Sequence, residues 1–131
     1  MSVPTTILVV DDNPTNLKLA ATVLECAGHP VLSARNAVEA LAVLHHSQPD
    51  LILMDIQMPG MDGLTLTRQL RTNPAYQHIR IVALTSFAMK GDEQKARAAG
   101  CDGYITKPIS TRDLPAQLAA VMVDQQWKPR P

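Results

Sequence analysis

The chain has 131 residues, which suits one domain of common size, and 46% of them are hydrophobic, enough for a substantial core. Its 12 basic and 12 acidic side chains leave no formal net charge, which argues against a phosphate-neutralising nucleic-acid binder and against a polybasic membrane anchor. No apolar run approaches a membrane span and no basic leader begins the chain, so we expect a cytoplasmic protein without a membrane segment. Cys26 and Cys101 lie in alanine-rich patterns and are expected to be buried.

Five short apolar runs predict the strands of a sheet. The run at 51–54 is apolar on both faces, which is typical of a central strand. Pro59-Gly60 and Asp62-Gly63 then mark a loop. In chain order, the predicted strands cover 7–10, 30–34, 51–54, 79–84 and 103–106.

Amphipathic segments follow these runs and predict five helices. Asn13 and Pro14 provide a cap and a proline at the first helical position, and Gly28 ends that helix. Asn36 caps the second helix. The remaining helices are expected over 64–71, over 88–99 and after a cap at Ser110 or Thr111.

Strands that alternate with helices predict a doubly wound α/β fold, in which a parallel sheet carries helices on both faces. We expect a single domain over residues 1–131, with a core from about 5 to 124 and a flexible tail over 125–131. In such a sheet the functional crevice lies outside the carboxyl ends of the strands.

Polar side chains follow four of the five predicted strands. Because these strands are parallel, their carboxyl ends meet at one edge of the sheet, so the side chains are expected to lie together. The first strand is followed by Asp11 and Asp12, the third by Asp55, the fourth by Thr85 and the fifth by Lys107.

Three carboxylates in one crevice repel each other. At about 4 Å, each pair costs roughly 4 kcal/mol at an effective dielectric constant near 20. A Mg²⁺ ion would offset this repulsion, because it is a hard cation that takes one or two carboxylates and keeps several waters. Conversion of Asp55 to an acyl phosphate would add negative charge that Lys107 and the metal could absorb, and the Thr85 hydroxyl could donate to a phosphoryl oxygen.

Each of these residues also has an ordinary interpretation. Asp11 and Asp12 could simply be acids near a helix N-terminus. Asp55 and Lys107, taken singly, could be a solvated loop acid and a surface lysine. Their joint placement at matched strand ends favours a functional site. A small Mg²⁺-dependent phosphatase or nucleotide binder is the less favoured alternative, because residues 11–16 contain no glycine that would let a phosphate approach the backbone.

The motifs at the strand ends occur together in a known family. They are D-D-N at 11–13, D-x-x-M-P-G-M-D-G at 55–63, T-S at 85–86 and K-P at 107–108. With this spacing the chain, from about residue 5 to 124, resembles the receiver domain of bacterial response regulators, the CheY-like superfamily. It further resembles DivK-like single-domain regulators and the receivers of hybrid histidine kinases. The resemblance implies a flavodoxin-like (βα)5 fold with strand order 2-1-3-4-5.

The resemblance also implies a Mg²⁺ site. Asp12 would bind the metal directly, and Asp11 would act through a water. Asp55 would be both a metal ligand and the phosphoacceptor, and the backbone carbonyl of Gln57 would be a further ligand.

A switch and a special peptide bond are implied in the same way. Thr85 would be the switch hydroxyl that moves toward the phosphoryl group, and Tyr104 would be a rotating aromatic side chain. Lys107 would act on the phosphoryl group, and the bond between Lys107 and Pro108 would be cis.

The implied partners are proteins. A histidine kinase or a histidine phosphotransfer protein would donate the phosphoryl group, and an output partner would bind the face made by the fourth helix, fifth strand and fifth helix. The chain would not be an enzyme beyond assisting its own phosphorylation and dephosphorylation, and it would be a monomer or a weak phosphorylation-dependent dimer. Two alternatives stay open: a module excised from a hybrid histidine kinase, and a phosphorylation-independent interaction module of the same fold.

Overall fold

Strands and helices alternate along the described residues, which are 5–58, 62–85, 92–107 and 109–123 of a computed structural model. The strands are β1 (Ile7–Val10), β2 (Val31–Ala34), β3 (Leu51–Asp55), β4 (Arg80–Thr85) and β5 (Gly103–Thr106). The helices are α1 (Pro14–Cys26), α2 (Ala37–His46), α3 (Gly63–Arg71), α4 (Asp92–Ala99) and α5 (Leu114–Val123), with a short 3₁₀ helix at Pro74–Tyr76. Among these described helices, none has the length and hydropathy of a membrane span.

The five strands form one parallel sheet in the order β2-β1-β3-β4-β5, which confirms the predicted fold class. β1 and β3 are neighbours although a strand and two helices separate them in sequence. Their register pairs Val10 with Met54. The residues that follow, Asp11 and Asp55, therefore reach the carboxyl edge of the sheet side by side.

Two apolar cores lie on the two faces of the sheet. In β1, Ile7 and Val9 point to the core under α1 and α5. Leu8 and Val10 point to the opposite core, under α2, α3 and α4. Each such fully buried branched side chain contributes roughly 1.5–3 kcal/mol to the free energy of unfolding, so both faces hold the sheet rigid.

Side-chain caps fix where the first two helices begin. Asn13 accepts hydrogen bonds from the first turn of α1, which starts at Pro14, and Asn36 accepts one from the first turn of α2. Both predicted starts are confirmed. α1 ends at Cys26, and Gly28 takes a φ of +98°, a conformation that favours glycine.

The last helix begins later than the sequence suggests. The predicted cap at Ser110 forms, because Ser110 Oγ accepts from Asp113 N–H at 3.2 Å. Residues 111–113 nevertheless form a turn, and α5 itself starts at Leu114. Pro115 explains the difference, because a proline is tolerated in the first helical turn and breaks hydrogen bonding further inside.

Several other features differ from the expectations or lie outside the described residues. The 3₁₀ helix at Pro74–Tyr76 was not predicted. Cys26 is exposed, because it lies off the buried stripe of α1 that Ala20 and Leu24 form; Cys101 is buried as expected. The predicted start of the fourth helix, at 88–91, and the predicted tail lie outside the described residues.

The start of α3 lies directly against the end of β3. A Cβ atom at Gly63 would be 2.8 Å from both Ile56 Cα and Met54 Cγ, and closer still to the carbonyl oxygen of Asp55. Carbon atoms in van der Waals contact are about 3.5–4.0 Å apart, so no side chain fits here. Gly63 therefore allows α3 to begin beside the residue that ends β3.

Candidate functional site

Three aspartates meet at the carboxyl edge of the sheet. Each of Asp11, Asp12 and Asp55 offers a carboxylate oxygen, and these oxygens all lie within 4.8 Å of one another. Asp11 and Asp55 are only 1% and 2% exposed, whereas Asp12 is exposed. The cluster is therefore a crevice in which two carboxylates are buried and the third faces solvent.

Backbone hydrogen bonds orient the two buried carboxylates. Asn13 N–H donates to Asp11 Oδ1 at 2.9 Å, and Gln57 N–H donates to Asp55 Oδ1 at 2.9 Å. Each donor comes two residues after its acceptor, so the turn that follows the strand fixes the side chain. In both aspartates the second oxygen, Oδ2, is left for other partners.

Lys107 lies between these second oxygens. Its Nζ is 3.1 Å from Asp11 Oδ2 and 3.4 Å from Asp55 Oδ2. The lysine backbone is held too, because Lys107 N–H donates to the carbonyl oxygen of Thr85 at 2.7 Å. Three carboxylates and one ammonium leave a formal charge of −2 when all are ionised, which one divalent cation would neutralise.

The environment of Asp55 opposes its ionisation. The pKa of this carboxyl group is raised to about 6, chiefly by burial and also by the nearby charge of Asp11, against the lowering effects of the Gln57 N–H and the Lys107 ammonium. Without a metal, the crevice is therefore short of positive charge.

The donor set fits a hard metal ion. The ligand atoms that the three aspartates offer are carboxylate oxygens, the type that Mg²⁺ prefers. Asp11 Oδ2 is buried and accepts no well-aligned hydrogen bond within the described residues, and its charged neighbour there is the Lys107 ammonium at 3.1 Å. The acidic pocket formed by Asp11, Asp12 and Asp55 thus fits Mg²⁺ binding.

The other predicted residues lie at different distances from this cluster. Thr85 is fully buried at the end of β4 and pairs in register with Thr106. Gln57 is exposed and touches the site through its backbone N–H. Tyr104 lies in β5, two residues before Thr106, and is partly buried against the core under α2, α3 and α4.

Two residues that support the site were not predicted. One predicted residue lies outside the described residues. Asn13 orients Asp11 through its backbone, and Gly63 permits the close approach behind Asp55. Asn13 and Gly63 belong to the motifs D-D-N and D-G, but a sequence motif does not show that a residue acts through its backbone. Pro108 lies outside the described residues, and with it the predicted cis bond.

A parallel α/β sheet with three carboxylates and a lysine at its carboxyl edge is the architecture of a phosphoryl-signalling receiver. The chain belongs to the response regulator receiver domain family, whose sequence profile matches residues 7–119. Within this two-component signalling family the chain is DivK-like. Over 107 aligned residues it is 45% identical to the polar-differentiation response regulator DivK of Brucella anthropi, and the alignment covers 82% of this chain and 87% of that relative.

Solved structures agree with this assignment. The chemotaxis response regulator CheY4 of Vibrio cholerae superposes with a TM-score of 0.85 at 28% identity, covering 91% of this chain and 99% of that one. The signal receiver domain of a signal transduction histidine kinase from Syntrophus aciditrophicus superposes with a TM-score of 0.81 at 32% identity, covering 93% and 94%. The match therefore includes both a chemotaxis response regulator and the receiver domain of a histidine kinase.

Proposed function

We propose that this receiver takes a phosphoryl group onto Asp55 from the phosphohistidine of a histidine kinase or a histidine phosphotransfer protein. One observation carries the proposal: the oxygens of Asp11, Asp12 and Asp55 lie within 4.8 Å of one another, and Lys107 Nζ contacts two of these groups. Such an arrangement positions a carboxylate nucleophile and meets the charge of an incoming phosphoryl group.

The geometry supports one oxygen of Asp55 as the attacking atom. Asp55 Oδ1 is occupied by the Gln57 N–H, so Oδ2, 3.4 Å from Lys107 Nζ, is the nucleophile. Its bond to phosphorus forms as the phosphorus–nitrogen bond of the phosphohistidine breaks, and the imidazole leaves with the electron pair and takes up a proton. Lys107 and the Thr85 hydroxyl then meet the phosphoryl oxygens.

The metal of this proposal is Mg²⁺, which Asp12, Asp55 and the backbone carbonyl of Gln57 would hold directly and Asp11 would hold through a water. When bound, it neutralises the charge of the carboxylates and of the transferring phosphoryl group. The protein's part is to keep the ligands converged, which the Asn13 and Gln57 N–H groups do for the two buried carboxylates.

The proposed product is a change of partner-binding surface. Thr85 ends β4 and Tyr104 lies in the adjacent strand β5, so movement at the site would reach the face made by α4, β5 and α5. A cavity of about 270 Å³ between β5 and α5, lined in part by Tyr104, Gln117 and Val121, supports a protein partner at this face. We propose that the domain acts in the cytoplasm as a monomer or a weak phosphorylation-dependent dimer.

Phosphorylation is tested directly by mass measurement. Wild type incubated with Mg²⁺ and acetyl phosphate is expected to gain the mass of one phosphoryl group, and Asp55→Asn to gain none. Glu25→Gln, which removes an exposed carboxylate at the far end of α1, should behave as wild type. A wild-type protein that gains no adduct while it binds Mg²⁺ would leave the phosphorylation-independent interaction module as the function.

The metal ligand assignment makes a separate prediction. Asp12→Ala is expected to weaken Mg²⁺ binding by at least about tenfold, because it removes one of the few oxygen ligands. Titration calorimetry against Mg²⁺ measures this, with Glu25→Ala as the control for the loss of one negative charge. Unchanged Mg²⁺ affinity in Asp12→Ala would contradict the assignment.

Thr85 is proposed to be needed for the conformational response to phosphorylation but not for the phosphorylation of Asp55 itself. Thr85→Ala is expected to keep the phosphoryl adduct but to lose most of the change that phosphorylation causes in β5. Amide hydrogen exchange of β5, with and without beryllium fluoride as a phosphoryl mimic, reports that change. Thr106→Ala, which alters the exposed residue opposite Thr85 in the register, is the matched control. Equal responses in the two variants would refute the role.

A further inference from the structure

The helix on the proposed output face is held to the sheet by small side chains. Among residues 93–99 of α4, only Ala96 and Ala99 are buried, and the others are exposed. In α3, by contrast, Leu66 and Leu70 are buried in the same core. The hydrophobic contribution scales with buried apolar area, and two alanine methyl groups bury little of it. Apolar packing therefore holds α4 only weakly.

A guanidinium contacts the chain just beyond the C-terminal end of α4. Arg71, the last residue of α3, is only 10% exposed. Its Nε donates to the carbonyl oxygen of Gly100 at 2.9 Å, its Nη1 to that of Ile79 at 2.7 Å, and its Nη2 to Asp102 Oδ2 at 2.7 Å. One side chain thus joins the end of α3, the segment before β4, the end of α4 and the approach to β5.

The chain after α4 is fitted closely to this guanidinium. Gly100 has a φ of +110°, and a Cβ atom there would lie 2.6 Å from Arg71 Cγ. Two residues later, Asp102 exchanges hydrogen bonds with β4: its N–H donates to the Ile81 carbonyl oxygen at 2.6 Å, and its carboxylate accepts from Ile81 N–H at 2.8 Å. Residues 100–102 are therefore fixed both to Arg71 and to the sheet.

We propose that Arg71 is a positioning residue that fixes the C-terminal end of α4, so that phosphorylation displaces the N-terminal end of the helix about a pivot at Gly100. The proposal rests on the phosphoacceptor function of Asp55. Thr85 ends β4, and α4 is the next described element, so a shift at Thr85 enters α4 at its N-terminal end. With about 12 Å of helix between that end and the pivot, a small shift changes where the exposed side chains of residues 93–95 lie.

The proposal predicts that the two ends of α4 respond differently. Beryllium fluoride with Mg²⁺ serves as the phosphoryl mimic, and amide hydrogen exchange is followed over 92–96, over 99–102 and, as an internal reference, over β3. In wild type the mimic is expected to change exchange over 92–96 and to leave 99–102 within about twofold of its original rate. An equal change over 99–102 would overturn the proposal without any variant.

Arg71→Lys tests the anchor itself. A lysine keeps the positive charge beside Asp102 but cannot serve three acceptors in fixed directions. Exchange over 99–102 is expected to rise by at least about tenfold in the unmodified protein, with β3 unchanged, and these residues should then respond to the mimic. Arg68→Lys, an exposed arginine of the same helix, is the matched control. Wild-type protection over 99–102 in Arg71→Lys would refute the anchor.

The two failures can be told apart. A wild-type protein that forms no phosphoryl or beryllium fluoride adduct overturns the proposed function, and with it the response to phosphorylation. The comparison of Arg71→Lys with Arg68→Lys is made in the unmodified protein, so it still decides whether Arg71 fixes residues 99–102. A purely structural arginine would raise exchange over β3 together with 99–102 and would leave the response of 99–102 to the mimic unchanged.

Discussion

Asp55→Asn is expected to stabilise the metal-free protein by up to about 3 kcal/mol at pH 8, although it removes the proposed phosphoacceptor. The pKa of Asp55 lies at about 6 in the folded protein, chiefly because of burial, against an ordinary value of 3.8. The folded state therefore holds this proton more tightly than the unfolded state does. Stability from this group is complete below about pH 4 and is lost as the pH rises toward 6, so the neutral amide avoids the loss.

The measurement is urea unfolding between pH 4 and pH 8 with a chelator present. Wild type is expected to lose stability relative to Asp55→Asn across this range, and Glu25→Gln should follow wild type because its carboxylate is exposed. Mg²⁺ should then close the gap, since a cation bound to the ionised carboxylate stabilises the folded wild type. A metal-free Asp55→Asn protein less stable than wild type at pH 8 would show that Lys107 outweighs the burial of Asp55.

Asp102→Asn is expected to lower the free energy of unfolding by about 3–5 kcal/mol, the usual cost of removing one partner of a buried ion pair. Asp102 is 2% exposed, and its Oδ2 lies 2.7 Å from Arg71 Nη2. Asparagine can still accept the Ile81 N–H, but it leaves the buried guanidinium without its counter-charge. The loss should therefore come from the charge rather than from the hydrogen bond to β4.

Thermal or urea unfolding measures this loss, and Asp113→Asn is the matched control, because Asp113 is an exposed aspartate with a single side-chain partner in Ser110. The double variant Arg71→Met/Asp102→Asn should be less destabilised than the sum of its single variants, since it removes the buried Arg71 charge together with its partner. Only the more exposed Arg80, which is 4.0 Å from Asp102 Oδ1 in the wild type, then loses a carboxylate neighbour. Strict additivity, or a loss no larger than that of Asp113→Asn, would contradict the buried ion pair.

The sequence predicted the sheet and the convergence of the aspartates because both depend on local pattern. Apolar runs separated by capped helices allow few topologies, and parallel strands bring their carboxyl ends to one edge. Asp11 and Asp55 needed only that rule to be placed together. The late start of α5 also follows from a local signal, because Pro115 is tolerated only in the first turn of a helix.

The rest could not be predicted because it depends on residues that are distant in sequence. Arg71 and Asp102 are 31 residues apart, and in the sequence Asp102 looks like an ordinary turn acid before Gly103. The close approach at Gly63 depends on how α3 packs on β3, which no local pattern records. The exposure of Cys26 depends on which face of α1 meets the sheet.

Strands β4 and β5 have an ionic centre at each end. At their carboxyl ends lies the acidic crevice, where removing the charge of Asp55 is expected to strengthen the fold and abolish the chemistry. At their amino ends lies the pair of Arg71 and Asp102, where removing a charge is expected to weaken the fold and leave phosphorylation intact. Neutralising one aspartate is therefore expected to change the free energy of unfolding in opposite directions at the two ends of the same strands.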